Sequence, residues 1–238
     1  MKRFLIPIVA LGMIASCCNN NTNCTTGDNG EAQSSQVLTA EEQANLTPCK
    51  VIDILKQGNE KFVKSNQGRV QEAAAGQFPK AVILSCLDSR VPVEDVFDRT
   101  IGDIFVARVA GNIVNPDILG SMEFACKVSG SKLIVVLGHG SCGAIVSAIN
   151  DVELGNITEM LSKIQPAVTQ ARETFDGEAT SSNSEFVEHV CHTNIEVMVD
   201  EIRTNSPILK EMEDNGEIKI VGAYYDMNTG KVDFFENL

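Results

Sequence analysis

Short apolar runs alternate with longer segments of helical spacing along most of this chain. Four of the runs are rich in Val, Ile and Leu, which is typical of strands buried on both faces of a parallel sheet. These runs lie at 81–85, 104–109, 133–137 and 218–225. The segments between them carry apolar residues every three or four positions, as amphipathic helices do. The alternation predicts an α/β fold with a mostly parallel β-sheet flanked by helices.

Proline and glycine signals mark where several elements begin and end. Thr47-Pro48 and Asn115-Pro116 each place a capping side chain before a proline, which favours the first turn of a helix. We expect helices over about 47–65, from 91, over 115–130, from 142, over 157–175 and over 185–204. Asn228-Thr229-Gly230 predicts a turn into 232–235, so that an antiparallel edge strand joins four parallel strands.

The amino-terminal residues do not follow this pattern. Lys2 and Arg3 precede an apolar run over 4–15, which is shorter than the ~20 residues of a membrane-spanning helix and has the length of an export signal. Two small residues then precede Cys17, which resembles the acylated cysteine of a bacterial lipoprotein signal. An ordinary secretory signal with a chance cysteine is the alternative.

These patterns divide the chain into three segments. Residues 1–17 are expected to form a lipoprotein signal peptide, and 18–46 a flexible polar tether. Residues 47–238 are then one α/β domain, since single domains reach about 250 residues. The protein would be lipid-anchored in the cell envelope, on the periplasmic or extracellular face of a bacterial membrane.

The charge of the chain excludes several kinds of partner. It carries 19 Lys and Arg against 32 Asp and Glu, a net charge of −13. Nothing therefore attracts nucleic acid or anionic lipid, and membrane contact is expected only through the lipid anchor. A small neutral or anionic substrate would need a local cationic centre.

Two loops carry side chains that bind metals. Cys86 comes directly after one predicted strand, and His139 and Cys142 follow the end of another. If these strands are neighbours, the two sulfurs and the imidazole converge at the carboxyl edge of the sheet. Two cysteines and one histidine suit zinc, with a fourth position left for water or an acidic oxygen. We also expect Cys142 to lie in the first turn of a helix, where the N–H groups lower the pKa of its thiol.

Three motifs follow one another in this part of the chain. They are Cys86-x-Asp88-Ser89-Arg90, Asp103-x-Phe105-x-x-Arg108-x-Ala110-Gly111-Asn112 and Gly138-His139-x-x-Cys142-Gly143-Ala144. In these motifs the chain resembles the β-class carbonic anhydrases. The resemblance implies a Zn²⁺ enzyme whose zinc-bound hydroxide attacks carbon dioxide, and which interconverts carbon dioxide and bicarbonate with release of a proton.

The resemblance also implies roles for individual residues. Cys86, His139 and Cys142 hold zinc, while Asp88 either binds the metal in a closed form or pairs with Arg90 when water binds. A carboxylate two residues from both the first cysteine and the arginine can reach the metal or the guanidinium, but not readily both. The aspartate and the arginine are therefore expected to control whether the metal is open.

The implied substrate pocket contains Gln77, Phe105, Phe124 and Gly143. Gln77 is expected to orient the substrate and Phe105 to form a wall, whereas plant-type members carry a tyrosine in place of Phe124. The chain has no tryptophan, the residue with which some members build a second bicarbonate pocket, so the plant-type arrangement is expected. Because the family forms dimers whose pockets take residues from both subunits, a homodimer or larger homo-oligomer is expected.

Other functions are compatible with the same residues. The zinc site could hydrolyse carbonyl sulfide or carbon disulfide, or it could belong to a non-catalytic envelope module. Cys86 could instead act as a redox or nucleophilic thiol without metal. His189 and His192 could form a second metal site, but one helix supplies too few ligands, so interface or solvent positions are favoured. Cys126 and Cys191 are expected to be buried as small hydrophobes.

Overall fold

The structure is a computed structural model that describes residues 37–235 and 238. Residues 1–36, and with them the predicted signal peptide, Cys17 and most of the predicted tether, lie outside the described residues. The described residues fall into two compact units, with 37–67 in the first and those from 68 onward in the second. The predicted domain start at residue 47 lies within the first unit and stays a prediction.

Helices and strands follow largely in the predicted order. They are α1 (Ala40–Ala44), α2 (Pro48–Ala74), β1 (Ala81–Ser85), α3 (Val93–Val96), β2 (Phe105–Arg108), a 3-10 turn (Ala110–Asn112), α4 (Pro116–Glu123) with a π-helical continuation (Phe124–Val128), β3 (Leu133–His139), α5 (Gly143–Ile149), α6 (Asn156–Ser162), α7 (Gln165–Thr174), α8 (Ser184–Asn205), α9 (Pro207–Asp214), β4 (Lys219–Tyr225) and β5 (Val232–Phe235).

α1 occupies part of the segment predicted to be a tether. It begins with a capping box, in which Thr39 Oγ1 accepts from the Glu42 backbone N–H at 3.2 Å and the Glu42 carboxylate accepts from the Thr39 N–H at 2.7 Å. A short helix therefore lies within the segment predicted to be a tether, and the tether itself stays a prediction. α2 begins where predicted but continues past residue 65 to Ala74, since no proline within 66–74 interrupts it.

α2 carries apolar side chains that no core covers. None of its residues is buried. Its exposed large apolar residues are Val51, Ile52, Ile54, Leu55, Phe62, Val63 and Val70. Within the part of the chain that the structure describes, no helix has both the length and the apolar character to cross a bilayer.

The strands form one sheet in the order β2-β1-β3-β4-β5. β1 pairs in parallel with β2 and β3, β3 pairs in parallel with β4, and β5 joins β4 antiparallel. The predicted fold class, a mostly parallel sheet with an antiparallel edge strand and flanking helices, is confirmed. β1 and β3 run in register, with Ala81 opposite Leu133 and Ser85 opposite Leu137.

Side chains of β1 alternate between two cores. Val82 and Leu84 belong to a core that includes Ile195 of α8. Ile83 belongs to a separate core that includes Val135 of β3. Because both faces of the strand are covered, its sequence is continuously apolar and does not alternate with polar residues.

β3 extends beyond its predicted end. Gly138 and His139 still pair with β4, opposite Tyr224 and Tyr225. A Cβ at Gly138 would lie 2.7 Å from Ile195, so a glycine lets α8 pack closely on the strand. The extension makes His139 the last residue of β3 and places it at the carboxyl edge of the sheet.

Two helical features differ from the prediction. The helical stretch predicted over 157–175 is divided into α6 and α7, and Pro166, predicted to bend or start a helix, lies in the first turn of α7. α9 has no counterpart among the predicted helices, although Ser206-Pro207 is the same signal as Thr47-Pro48. Ser206 Oγ accepts from the Leu209 N–H at 3.3 Å and so caps the helix.

Candidate metal centre

Three metal-binding side chains meet at the carboxyl edge of the sheet. Cys86 follows β1 directly, His139 ends β3 and Cys142 is the N-cap residue of α5. Their ligand atoms all lie within 4.8 Å of one another, and all three residues are buried. The two sulfurs are 3.8 Å apart, well beyond the ~2.05 Å of a disulfide bond. A single metal ion can therefore be bound by all three.

The imidazole of His139 is oriented by the backbone. Nδ1 donates to the Gly140 carbonyl oxygen at 2.8 Å, which leaves the free lone pair on Nε2. Nε2 is buried and has no hydrogen-bond partner. Such an orphaned acceptor costs about 1–3 kcal/mol unless something binds it. An imidazole with an orphaned nitrogen beside two sulfurs fits a metal ion.

Without a cation between them, the two thiols do not ionise equally. The hydrogen bond with Cys142 lowers the pKa of Cys86 to about 4, although burial opposes this shift. The same hydrogen bond raises the pKa of Cys142, and burial and the Cys86 charge add to the effect. The Ile145 N–H of α5 acts in the predicted direction and opposes these effects without outweighing them. A divalent cation would stabilise both thiolates together.

Asp88 is paired with Arg90 beside the three donors. Arg90 Nε donates to Asp88 Oδ1 at 2.9 Å and Nη2 donates to Oδ2 at 2.7 Å. These hydrogen bonds lower the pKa of Asp88 to about 2, so its carboxylate stays ionised at any pH above that value. Asp88 Oδ2 is 4.0 Å from His139 Nε2. The carboxylate therefore lies next to the metal position while its oxygens are held by the guanidinium.

Arg108 holds the loop after β1, a role that sequence reasoning missed. Its Nε donates to the Cys86 carbonyl at 3.0 Å and its Nη2 to the Asp88 carbonyl at 2.5 Å. Arg108 is the last residue of β2 and lies opposite Ser85 of β1. Its presence in the motif with Phe105 is a sequence signal, but spacing alone does not say which atoms a guanidinium contacts.

The Ala110–Asn112 turn supplies a donor to the first sulfur. The Gly111 N–H donates to Cys86 Sγ at 3.3 Å. Gly111 has a φ of +73°, in the left-handed region that favours glycine. A Cβ there would lie 2.6 Å from Ile164 Cδ1, so a side chain has no room. Both the backbone angle and the packing therefore require glycine.

Comparisons with known proteins agree with this geometry. A family model described as carbonic anhydrase matches residues 81–232. Carbonic anhydrase 2 of Mycobacterium tuberculosis is 36% identical over 199 residues, covering 79% of this chain and 92% of that protein. The carbonic anhydrase of Mycolicibacterium smegmatis is 33% identical over 207 residues, covering 82% of this chain and 96% of that protein.

Solved structures share the fold. A tetrameric β-carbonic anhydrase from Sordaria macrospora superposes with a TM-score of 0.68 at 24% identity, covering 78% of this chain and 94% of that chain. A Coccomyxa β-carbonic anhydrase gives a TM-score of 0.66 at 22% identity, covering 81% and 86%. This chain belongs to the β-class carbonic anhydrases. It catalyses the reversible hydration of carbon dioxide to bicarbonate, and neither a sulfur-analogue hydrolase nor a non-catalytic module is favoured.

The predicted pocket residues of this carbonic anhydrase do not converge within one chain. Gly143 is exposed and follows Cys142 directly. Gln77 instead lines a cavity of about 340 Å³ at the amino end of β1. Phe105 and Phe124 line another cavity of about 540 Å³ against α4.

The sheet register explains this separation. Phe105 lies opposite Val82, three residues before the end of β1. At about 3.3 Å per residue this places its backbone about 10 Å from Ser85 and the carboxyl edge. Sequence motifs list residues in order, but they do not say at which end of the sheet each side chain lies.

The two other histidines make contacts of their own within the fold. His189 Nε2 shares a hydrogen bond with Thr174 Oγ1 at 2.8 Å, whereas the ring of His192 lies tilted against that of Tyr224, with the ring centroids 4.4 Å apart. Among the described residues, the Cys86 cluster is the one group of three that could hold a metal. Cys126 and Cys191 are buried free thiols within the apolar core, as predicted.

Gly111→Ala tests the turn that contacts the first sulfur. We expect the free energy of unfolding to fall by about 1–2 kcal/mol, because the side chain is forced into the left-handed region. We also expect faster metal release to a chelator, because the N–H is displaced from Cys86 Sγ.

Gly130→Ala is the matched control for this substitution. Gly130 also has a positive φ, +79°, but nothing lies within 4 Å of its Cβ position. The Gly130→Ala variant should lose stability but release its metal at the normal rate. Chemical denaturation and chelator competition measure both quantities, and identical metal release from the two variants would contradict the role of the turn.

Proposed function

We propose that the metal of this carbonic anhydrase is zinc, held by Cys86, His139 and Cys142. The observation that carries the proposal is the buried, unpartnered His139 Nε2 beside two sulfurs 3.8 Å apart. Two cysteines and one histidine with a fourth position open form a ligand set of catalytic zinc sites. The hydrogen bond from His139 Nδ1 to Gly140 supports it, since ligating histidines are normally held through their other nitrogen.

When bound, zinc supplies the Lewis acidity that makes water a nucleophile toward carbon dioxide. The side chains around the site keep the donors in place for that reaction. The Gly111 N–H stabilises negative charge on the Cys86 sulfur, and Arg108 fixes the backbone that carries it. Gly143 is exposed beside Cys142, and its missing side chain leaves space for a small substrate at the start of α5.

The Asp88–Arg90 pair is proposed to keep the fourth position open. While Arg90 holds both carboxylate oxygens, Asp88 is kept from taking the place of water. With a pKa of about 2, Asp88 accepts hydrogen bonds and does not donate them. Its Oδ2, 4.0 Å from His139 Nε2, can therefore accept the hydrogen of a nucleophilic oxygen and turn a lone pair toward carbon dioxide.

Cys142→Ser tests the zinc centre. We expect loss of bound zinc and a fall of at least about 100-fold in carbon dioxide hydration, because one of three ligands is replaced by a poor one. Metal analysis of the purified proteins and a stopped-flow hydration assay measure both effects. Cys126→Ser, the same change at a buried cysteine outside the cluster, should keep zinc and activity. Wild-type protein purified without zinc and without activity would refute the proposal.

We propose that the working unit is a homodimer or larger homo-oligomer whose pockets use residues from two chains. Gln77, Phe105 and Phe124 lie away from the metal donors of their own chain, which supports this arrangement. The exposed apolar side chains of α2 also favour association. The similar enzymes of Sordaria macrospora are tetrameric.

Mixing two defective variants tests the shared pocket. Cys142→Ser lacks a metal ligand and Gln77→Ala lacks the proposed substrate donor, so each alone should be strongly impaired. Co-expressed at equal levels, they should recover up to about a quarter of wild-type activity, because random pairing gives about one site in four both intact residues. The two variants carry different affinity tags, and purification through both tags isolates the mixed oligomers. Hydration activity of these oligomers no higher than the sum of the separate variants would exclude sharing.

We propose that the enzyme is exported and lipid-anchored through Cys17 in a bacterial cell envelope. The charged start, the short apolar run and the small residues before Cys17 support this location. The domain would then hydrate carbon dioxide outside the cytoplasm, held to the membrane by the lipid alone.

Cys17→Ser tests the anchor. Wild-type protein is expected in the membrane fraction and in the detergent phase after partitioning, because acyl chains supply the membrane affinity. The variant should lose the lipid label and leave the detergent phase, while the purified domain keeps its zinc. Membrane association unchanged by the substitution would contradict lipidation at this residue.

A further inference from the structure

Asn194 is a polar residue in an apolar interior. It lies in the middle of α8 and is 1% exposed. Its neighbours along the helix, including Cys191, Ile195 and Met198, belong to the hydrophobic core. Buried polar groups cost free energy unless they are hydrogen-bonded, so the contacts of this amide need an explanation.

Two hydrogen bonds connect Asn194 to the first thiol of the metal centre. Asn194 Nδ2 donates to the Gly111 carbonyl at 3.0 Å, and the Gly111 N–H donates to Cys86 Sγ at 3.3 Å. The amide must present its nitrogen to Gly111, because two facing carbonyl oxygens would have no proton between them. The side chain on α8 therefore sets the direction of the peptide group that follows Gly111.

The same amide is only partly satisfied. Asn194 Oδ1 is buried without a hydrogen-bond partner among the described residues, and so is Asn112 Nδ2 in the adjoining turn. An unpaired buried polar atom costs about 1–3 kcal/mol. For stability alone, leucine of similar size would suit this helix position better than asparagine. The bond to Gly111 is thus the contact that distinguishes Asn194 from an apolar residue.

The turn needs such a restraint. Gly111 lacks a Cβ and adopts a left-handed conformation, so its own backbone preferences hold it only weakly. Ile164 and Ala144 lie close to the position of its missing side chain and limit where the residue can move. Apolar contacts do not select the direction in which a carbonyl or an N–H points, whereas a hydrogen bond does.

We propose that Asn194 is a positioning residue of the metal centre, which holds Gly111 so that its N–H stays directed at the Cys86 sulfur. This inference rests on the proposed binding of zinc by Cys86. An N–H group held in this way stabilises the charged Cys86 sulfur and fixes the direction of that sulfur toward the metal. Residues that support metal ligands in this manner typically contribute 10–100-fold to metal affinity.

Asn194→Leu tests the proposal through metal binding. We expect the zinc affinity, measured by competition with a chelator, to fall about 10–100-fold. We expect the melting temperature of the metal-free protein to change little, because the unpaired Asn194 oxygen is removed while the Gly111 carbonyl loses its donor. In the cobalt-substituted protein, the sulfur-to-cobalt charge-transfer band should shift or weaken, since the sulfur loses its N–H donor. Asn194→Ala gives the same metal readout should leucine prevent folding.

Thr193→Val is the matched control. Thr193 is 6% exposed in the same helix, and its Oγ1 donates to the His189 carbonyl at 2.9 Å. The substitution removes a buried side-chain hydrogen bond of α8 that does not reach Gly111. Zinc affinity and the cobalt spectrum should match those of the wild type.

Two outcomes separate this inference from the proposed function. Folded Asn194→Leu or Asn194→Ala protein with wild-type zinc affinity and an unchanged cobalt band would overturn the positioning role, while zinc binding by Cys86, His139 and Cys142 would stand. Wild-type protein that binds no zinc in the same competition would overturn the proposed zinc centre itself.

Discussion

The parallel pairing of β1 with β3 is the constraint on which the metal centre depends. Cys86 and Cys142 are 56 positions apart in the chain, yet their sulfurs lie 3.8 Å apart because the two strands are adjacent and end at one edge of the sheet. Close packing on both faces holds this register, since a slip of one residue would expose apolar side chains of β1. Stability of the sheet and geometry of the site therefore have the same origin.

Burying two sulfurs and an imidazole creates an electrostatic problem that the surrounding polar groups reduce. The Gly111 N–H donates to Cys86, the Gly140 carbonyl accepts from His139, and the Arg108 guanidinium fixes the loop that begins at Cys86. These contacts do not allow both thiols to be ionised together, because negative charge on one sulfur raises the pKa of the other thiol. A cation at the centre resolves this conflict, which is why the donor set is more consistent with metal binding than with a free nucleophilic thiol.

The predicted pocket residues of one chain lie at different places on its surface. The carboxylate of Asp88 and the exposed Gly143 lie at the donors, whereas the predicted Gln77, Phe105 and Phe124 line other cavities. A chain that carries both halves of a pocket on different surfaces can complete it with a second copy of itself. Family membership and the separated pocket residues therefore both lead us to expect a homodimer or larger homo-oligomer.

The sequence alone determined the fold class, the order of the strands along the chain and the three candidate donors, because apolar periodicity and strand-end loops are local signals. It also contained the capping signals of α1 and α9, in Thr39-x-x-Glu42 and Ser206-Pro207. Only the tertiary structure decided that Arg108 and Asn194 support the loops around Cys86, and that Phe105 lies at the opposite edge. Those relations depend on which strands are neighbours and on where distant side chains point. These contacts arise from packing between segments that are distant in the chain, and a local sequence pattern contains no information about them.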